Sequence, residues 1–258
     1  MGKGGVLDSA DGIRISLVIP AHNEGRFLPR LLESVAVASE HFRHGPNSVE
    51  VIVADNVSSD DTAVIASERG CKVVQVEERR IASVRNGGAA AAAGDVLCFI
   101  DADSKIHPDT FDAIEDSLST GRVVAGATGV RMERWSLGIA VTWALFMPMV
   151  WLLRMDTGVV FCKKDDFVAV GGYDERRYFA EDVQLLWDLR RVGRRRKQCL
   201  TRLKTVKALG STRKFDIHGD WHYISDLFRL VPVMLFSPRA TNDYATKYWY
   251  GKQRTPER

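Results

Sequence analysis

Asp101 and Asp103, one residue apart, close the apolar run from Val96 to Ile100. The run is β-branched and aromatic, bounded by Gly94 before it and by Ser104 and Pro108 after it, as expected of a buried strand. Carboxylates at the carboxyl end of such a strand sit where open α/β sheets bind ligands, and their hard oxygens suit a divalent cation able to hold a diphosphate. A plainer reading stays open: His107-Pro108-Asp109 opens a helical pattern that Asp103 or Ser104 would help to cap.

The scaffold for these acids is laid down by the chain before them. Ile15 to Pro20 is a short apolar run, and after Asn23-Glu24-Gly25 the residues Phe27, Leu28, Leu31, Leu32 and Val35 share one helical face. Val49 to Ala54 repeats the pattern and ends at Asp55-Asn56, with Ser58-Ser59-Asp60-Asp61-Thr62 ahead of the helix Ala63 to Arg69. Cys71 to Val76 reads as a third strand, and Ile81 to Ala93 as a helix of small residues able to lie close against a sheet. Alternation of this kind predicts a parallel sheet with right-handed crossovers. Its carboxyl edge gathers Pro20, Ala21, Asn23, Glu24, Asp55, Asp101 and Asp103.

The segments Val18-Ile19-Pro20-Ala21-His22-Asn23-Glu24, Val51 to Asn56 with Ser59 to Thr62, Arg85-Asn86-Gly87 and Asp101-Ala102-Asp103 resemble the family 2 glycosyltransferases of the GT-A fold. Gly171-Gly172-Tyr173-Asp174-Glu175 and Glu181-Asp182 extend the resemblance, which runs from Ile15 to Gly193. It implies an α/β protein of GT-A type: a mostly parallel nucleotide-binding sheet flanked by helices, an acceptor-side half and a C-terminal helical appendage. The expected division is a flexible N-terminus at 1–14, a GT-A domain at 15–215 and an appendage with tail at 216–258. Within the domain, 15–105 would bind nucleotide and 106–215 would face the acceptor.

The resemblance also implies the roles of single residues. Pro20, Ala21, Asn23, Glu24 and Ala102 would line the nucleotide-sugar pocket, and Asp55 would accept a hydrogen bond from the base. An ionised carboxylate is acceptor-only, so it suits the N3–H of uracil and equally the N–H groups of guanine, which leaves UDP- and GDP-sugars both open. Asp55 also reads as a capping acid for the turn at Ser58-Ser59. Arg85 would approach the diphosphate or sugar; Asp103 would hold Mn2+ or Mg2+, and Asp101 would support the donor ribose or the same metal. Family members invert the anomeric centre, which makes Asp182 the expected base toward a hydroxyl acceptor, lipid-linked or small, with Glu181 beside it. Processive members carry Gln-x-x-Arg-Trp after the acidic pair, whereas this chain has Gln184-Leu185-Leu186-Trp187-Asp188, so polymerisation of a long glycan loses support.

In the second half, Phe111 to Leu118 reads as a helix, Val123 to Val130 and Thr157 to Cys162 as strands, and Val183 to Arg191 as a helix. Leu137 to Leu153 carries no charge, yet it falls short of the roughly 20 apolar residues of a bilayer span, and Pro148 should interrupt it. A buried or interfacial helix is expected there. The basic run Arg190 to Lys197 would favour a helix end, or attract anionic lipid headgroups or the diphosphate. His218 and His222 are weak candidates for a third metal ligand. Asp226 to Phe236 turns from amphipathic to apolar, and the tail from Thr241 is polar and aromatic.

With 258 residues, 45% of them hydrophobic, the chain can bury a large core, and a net charge of +3 does not call for nucleic acid. Cys71, Cys98, Cys162 and Cys199 form no Cys-x-x-Cys pair and read as reduced. Asp8 and Asp11 stand where a signal peptide needs apolar residues, so a cytoplasmic protein is expected, with contact at the membrane face as a further expectation. Two rivals remain. A nucleotidyltransferase would need a Gly-rich basic phosphate loop where this chain has Pro20-Ala21-His22-Asn23; a sugar-nucleotide or lipid-binding protein without turnover would not need Asp101, Asp103, Glu181 and Asp182.

Overall fold

The computed structural model describes residues 14–153, 157–177, 181–222 and 224. The stretch Asp226 to Phe236, the tail from Thr241 and nearly all of the expected N-terminal segment lie outside them. The chain packs as two units, 1–131 with 154–210 and 132–153 with 211–258.

The first unit is built on a seven-stranded sheet. Ile15–Ala21 (β1), Val49–Asp55 (β2), Lys72–Gln75 (β3) and Val96–Phe99 (β4) are parallel, in the spatial order β3-β2-β1-β4. Every residue of β1 and β4 is buried, which is why both read as unbroken apolar runs. The crossovers are Leu28–His41 (α1), Thr62–Glu68 (α2) and Ile81–Ala90 (α3). Since β1 lies between β2 and β4, the chain reverses its lateral direction there, and a crevice at the carboxyl ends of these strands is the expected ligand site. Pro20 stands near this edge, in register with Ala54 of β2. Pairing of β1 with β4 ends at Val18 and Phe99, so the proline falls beyond the last paired residue and costs no ladder bond.

Small residues set the depth of α3. A Cβ on Gly88 would be driven into Cγ1 of Val18 and would come within 3.3 Å of the Ala54 Cβ, so the helix can sit on β1 and β2 only with glycine there. Arg85 lies three residues earlier on the same helix face and is therefore carried inside.

The rest of the sheet departs from simple alternation. Thr110–Ser119 (α4) leads to Val123–Ala127 (β5), and the expected strand to Val130 is broken at Gly129, whose φ of 73° only glycine adopts freely; Val130–Met132 (β6) follows as a separate strand. Val160–Lys163 (β7) inserts antiparallel between β4 and β5. Lys164–Ala169 (α6) and Glu181–Arg195 (α7) then lead to Cys199–Arg202 (β8), which closes the sheet beside β5. Ala208–Gly210 (β9) pairs with β6. The basic run from Arg190 thus ends α7 and turns into β8, a strand that its charge concealed.

The second unit contains Leu137–Leu153 (α5) and Arg213–His218 (α8). Its described residues are joined by Arg134, whose guanidinium donates to Asp216 and Asp220 at 2.6 Å each. Pro148 does not end α5, contrary to the sequence expectation. Both Pro148 and Ala144, whose carbonyl loses its donor, are exposed, so water can take the freed acceptor. Among the described residues no helix is long and apolar enough to cross a membrane. Instead α5 and the residues before it expose Trp135, Leu137, Val141, Trp143 and Leu145, with the two indoles edge to face at 5.9 Å.

Candidate active site

At the carboxyl end of β2, Asp55 is buried. One oxygen accepts from the Ser58 N–H at 3.2 Å, as a turn-capping acid would, while Oδ1 is enclosed without a hydrogen-bond partner. A buried carboxylate oxygen left unpaired is costly, which marks Asp55 as more than a cap. The loop after β1 is stapled to the loop after β2: the Asn23 N–H donates to Ser58 Oγ at 3.0 Å, its side-chain oxygen accepts from the Ser59 N–H at 2.8 Å, and the Glu24 N–H donates to Thr62 Oγ1 at 2.8 Å. Asn23 adopts φ 55°, a left-handed conformation that asparagine tolerates. Pro20 and Ala21 are buried in β1, and Ala102 is buried between the two aspartates.

The loop carrying Asp101 and Asp103 is braced from three sides. Arg30 of α1 donates to the Asp103 carbonyl, the Ser104 N–H donates to the Asp101 carbonyl at 3.1 Å, and Lys105 exchanges backbone bonds with Leu209 at 2.9 Å. The capping alternative for Asp103 and Ser104 does not hold: α4 starts only at Thr110, and no side chain caps it.

The hub is Arg85. Its Nη1 donates to Glu181 at 2.6 Å and to Asp182 at 2.8 Å, and Nη2 donates to Asp101 at 2.9 Å. The guanidinium side chain is 5% exposed, against 12% for Glu181, 21% for Asp182 and 59% for Asp101. Tyr173 lies under it, its ring centroid 5.3 Å from the guanidinium carbon, and rests in turn on Phe99 and Phe167. Glu181 and Asp182 stand in the first turn of α7, where acids complement the helix dipole, yet both side chains turn to Arg85. Thus Arg85, Asp101, Glu181 and Asp182 are brought together from α3, the end of β4 and α7.

Asn86 and Tyr173 belong to this arrangement, although the sequence marks them only as motif members. The Asn86 side chain donates to the Tyr173 carbonyl and accepts from the Tyr173 N–H, both at 2.9 Å, and also donates to Glu175 at 2.8 Å. Gly171 and Gly172, at φ 82° and 72°, turn the chain so that this clasp can form. A cleft of about 450 Å³ opens beside it, lined by Asn86, Asp174, Glu175, Gln184 and Asp188.

Burial raises the Asp182 carboxyl to about 6; Arg85 opposes the rise, and the neighbouring charges of Glu181 and Asp101 add to it. A carboxylate poised there can accept a proton near neutrality. Were Asp182 to serve as a base it would have to be ionised, and kcat would then climb as pH rises through about 6 and level off above it. A rate that falls across that range would contradict the role. The Tyr173 phenol is pushed well above its ordinary value, first by burial and then by Asp182, and stays protonated.

As a cation site, Asp101 and Asp103 fit in chemistry. Among the described residues no three His, Cys, Asp or Glu side chains gather as a complete metal cage. Mg2+ and similar ions commonly take one or two carboxylates and complete their shell with substrate phosphates and water, so two acids at a nucleotide-binding edge suffice. His218 and His222 face each other in the second unit with ring centroids 5.5 Å apart, and His222 bonds the Gly219 carbonyl at 2.8 Å.

A family model described as glycosyl transferase family 2 matches residues 16–156. The 4,4'-diaponeurosporenoate glycosyltransferase of Staphylococcus haemolyticus is 38% identical over 100 residues, covering 36% of this chain and 25% of that protein. The chain spans less than half the length of such curated relatives. Among solved structures, residues 1-349 of S. aureus TarS in complex with UDP-GlcNAc superpose with a TM-score of 0.59 at 17% identity, over 78% of this chain and 59% of that one. Glucosyl-3-phosphoglycerate synthase from Mycobacterium tuberculosis, in complex with Mn2+, UDP and glucosyl-3-phosphoglycerate, gives a TM-score of 0.56 at 19% identity, over 89% of this chain and 85% of that one. At these identities the structural likeness speaks for the fold, a GT-A arrangement as expected. The family model spans more than half of the sequence, and the chain belongs to glycosyl transferase family 2.

Proposed function

We propose that this protein is an inverting glycosyltransferase that moves a sugar from a nucleotide-diphosphate-sugar, UDP- or GDP-linked, to a hydroxyl acceptor. The observation that carries the reading is the convergence of Asp101, Glu181 and Asp182 on one buried arginine, at the sheet edge where Asp55 keeps a buried, unpaired acceptor. Asp55 would accept from the base of the nucleotide, with Pro20, Ala21, Asn23, Glu24 and Ala102 around it. Asp101 and Asp103 would hold a divalent cation, Mn2+ or Mg2+, which supplies charge neutralisation of the leaving diphosphate when bound. Asp182 would take the proton of the acceptor hydroxyl as its oxygen attacks the anomeric carbon from the face opposite the leaving group. The structures of relatives holding UDP-GlcNAc or UDP with Mn2+ support the donor class.

Nucleotide sugars screened by thermal shift with manganese should raise the melting temperature, because a ligand of the folded state stabilises it. Asp55→Asn replaces one oxygen of the acceptor pair by a donor and should weaken the preferred donor by about ten- to a hundredfold, roughly 1.4–2.7 kcal/mol. Unchanged affinity in that variant would remove Asp55 from the base pocket. Stabilisation without release of nucleoside diphosphate, in the presence of varied acceptors, would instead favour a binding protein.

The apolar residues exposed on and before α5, two of them tryptophans, support contact with a membrane surface on the cytoplasmic side and a lipid-linked acceptor. With the basic run Arg190 to Lys197 adding charge attraction, the protein should rise with anionic vesicles in a flotation assay at low salt and less so at high salt. Absence from the vesicle fraction at low salt would leave a small soluble acceptor.

A further inference from the structure

Both terminal nitrogens of Arg85 are engaged by protein carboxylates, while its Nε is enclosed without a hydrogen-bond partner. Nη1 serves Glu181 and Asp182, and Nη2 serves Asp101. These acids come from two elements, the end of β4 and the start of α7, and lie 16 to 97 residues from Arg85 in the chain. Three carboxylates drawn this close repel one another unless a cation lies between them. The arginine is itself fixed. Gly88 seats α3 against β1, the Tyr173 ring supports one face of the guanidinium, and Asn86 clasps the backbone of Tyr173 on both sides.

We propose that Arg85 is the positioning residue for the base: it orients Asp182 and ties that carboxylate to the Asp101 end of the cleft, and it does not serve as a ligand of the donor. The inference rests on the reading of Asp182 as base. It assigns to Arg85 a partner set different from the diphosphate or sugar that the family resemblance implies. The planar fork is what the site requires. An ammonium at this position keeps the charge but has one nitrogen, and it cannot hold three acceptors on two sides in fixed directions. The same geometry makes Glu181 part of the device, because it shares Nη1 with Asp182 and limits where that nitrogen can lie.

The test is a comparison of Arg85→Lys, Asp182→Asn and their combination in the full chain, with donor turnover measured for each, and calorimetric binding of UDP or GDP measured without metal, because Arg85 also holds Asp101 of the cation site. Arg85→Lys should lower kcat about thirty- to a hundredfold and leave nucleotide affinity within about threefold. Added to Asp182→Asn, it should cost less than about threefold more, since both changes act through one carboxylate. A tenfold or larger loss of nucleotide affinity in Arg85→Lys would overturn the proposal and make Arg85 a donor ligand. Losses that multiply in the double variant would overturn it as well. If Arg85→Lys does not fold, Glu181→Gln carries the test: kcat should fall about three- to tenfold at unchanged nucleotide affinity, and unchanged kcat would overturn the proposal. Near-normal turnover of Asp182→Asn by itself defeats the base assignment, a failure distinct from these.

Discussion

Asp182→Asn is expected to lower kcat by something on the order of a hundredfold or more, with donor affinity near that of the unchanged protein. The substitution keeps the shape of the side chain and removes the oxygen proposed to accept the proton. The fold should survive it. Arg85 retains Glu181 at 2.6 Å and Asp101 at 2.9 Å, and the amide oxygen of asparagine can still accept from Nη1. In the unchanged site, burial holds the carboxyl near 6, so it is ionised at neutral pH and still basic enough to accept a proton in the transition state. Release of nucleoside diphosphate under saturating donor and acceptor measures the effect. Turnover close to normal would move the base to another residue.

Asp103→Ala should abolish manganese-dependent donor binding while leaving the protein folded. The Asp103 carbonyl, which takes the bond from Arg30, is present in alanine too, and the removed carboxylate is the group assigned to the cation. A calorimetric titration of UDP or GDP with and without Mn2+ should show the metal-dependent gain fall by at least about a hundredfold, roughly 2.7 kcal/mol, in the variant. An equal gain in both proteins would sink the assignment of Asp103 as a metal ligand.

Strands β1 and β4 are legible in sequence because parallel strands buried on both faces leave apolar runs, and polar residues collect where each run ends. The Asp-x-Asp loop stands out for the same reason. Beyond Phe99 the chain is harder to read. A four-residue apolar strand carries no mark of direction, so the antiparallel insertion of β7 between β4 and β5 is a tertiary outcome. Strand β8 hides behind the arginines that precede it, and only Leu200 of its four residues is buried. Arg85 is the instructive residue. By itself it reads as an ordinary helix arginine, and its partners Glu181 and Asp182 are 96 and 97 residues away, a separation no local periodicity encodes. Its spacing from Gly88 was the available signal: two residues three apart share a helix face, and a face that needs glycine to approach a sheet buries whatever charge it carries. A buried charge then requires opposite charges nearby, and the unassigned acids of the motifs supply them. The unpaired oxygen of Asp55 was not legible at all, since the same aspartate also caps its turn.

A single displacement at the anomeric centre, with a carboxylate as base, reverses the configuration there, and proton NMR of the transfer product reads that reversal. With a nucleotide sugar of defined anomeric configuration, Mn2+ and an accepted hydroxyl compound, the anomeric coupling of the new glycoside should be that of the opposite configuration. A product that keeps the donor's configuration would contradict the single displacement and, with it, the role of Asp182.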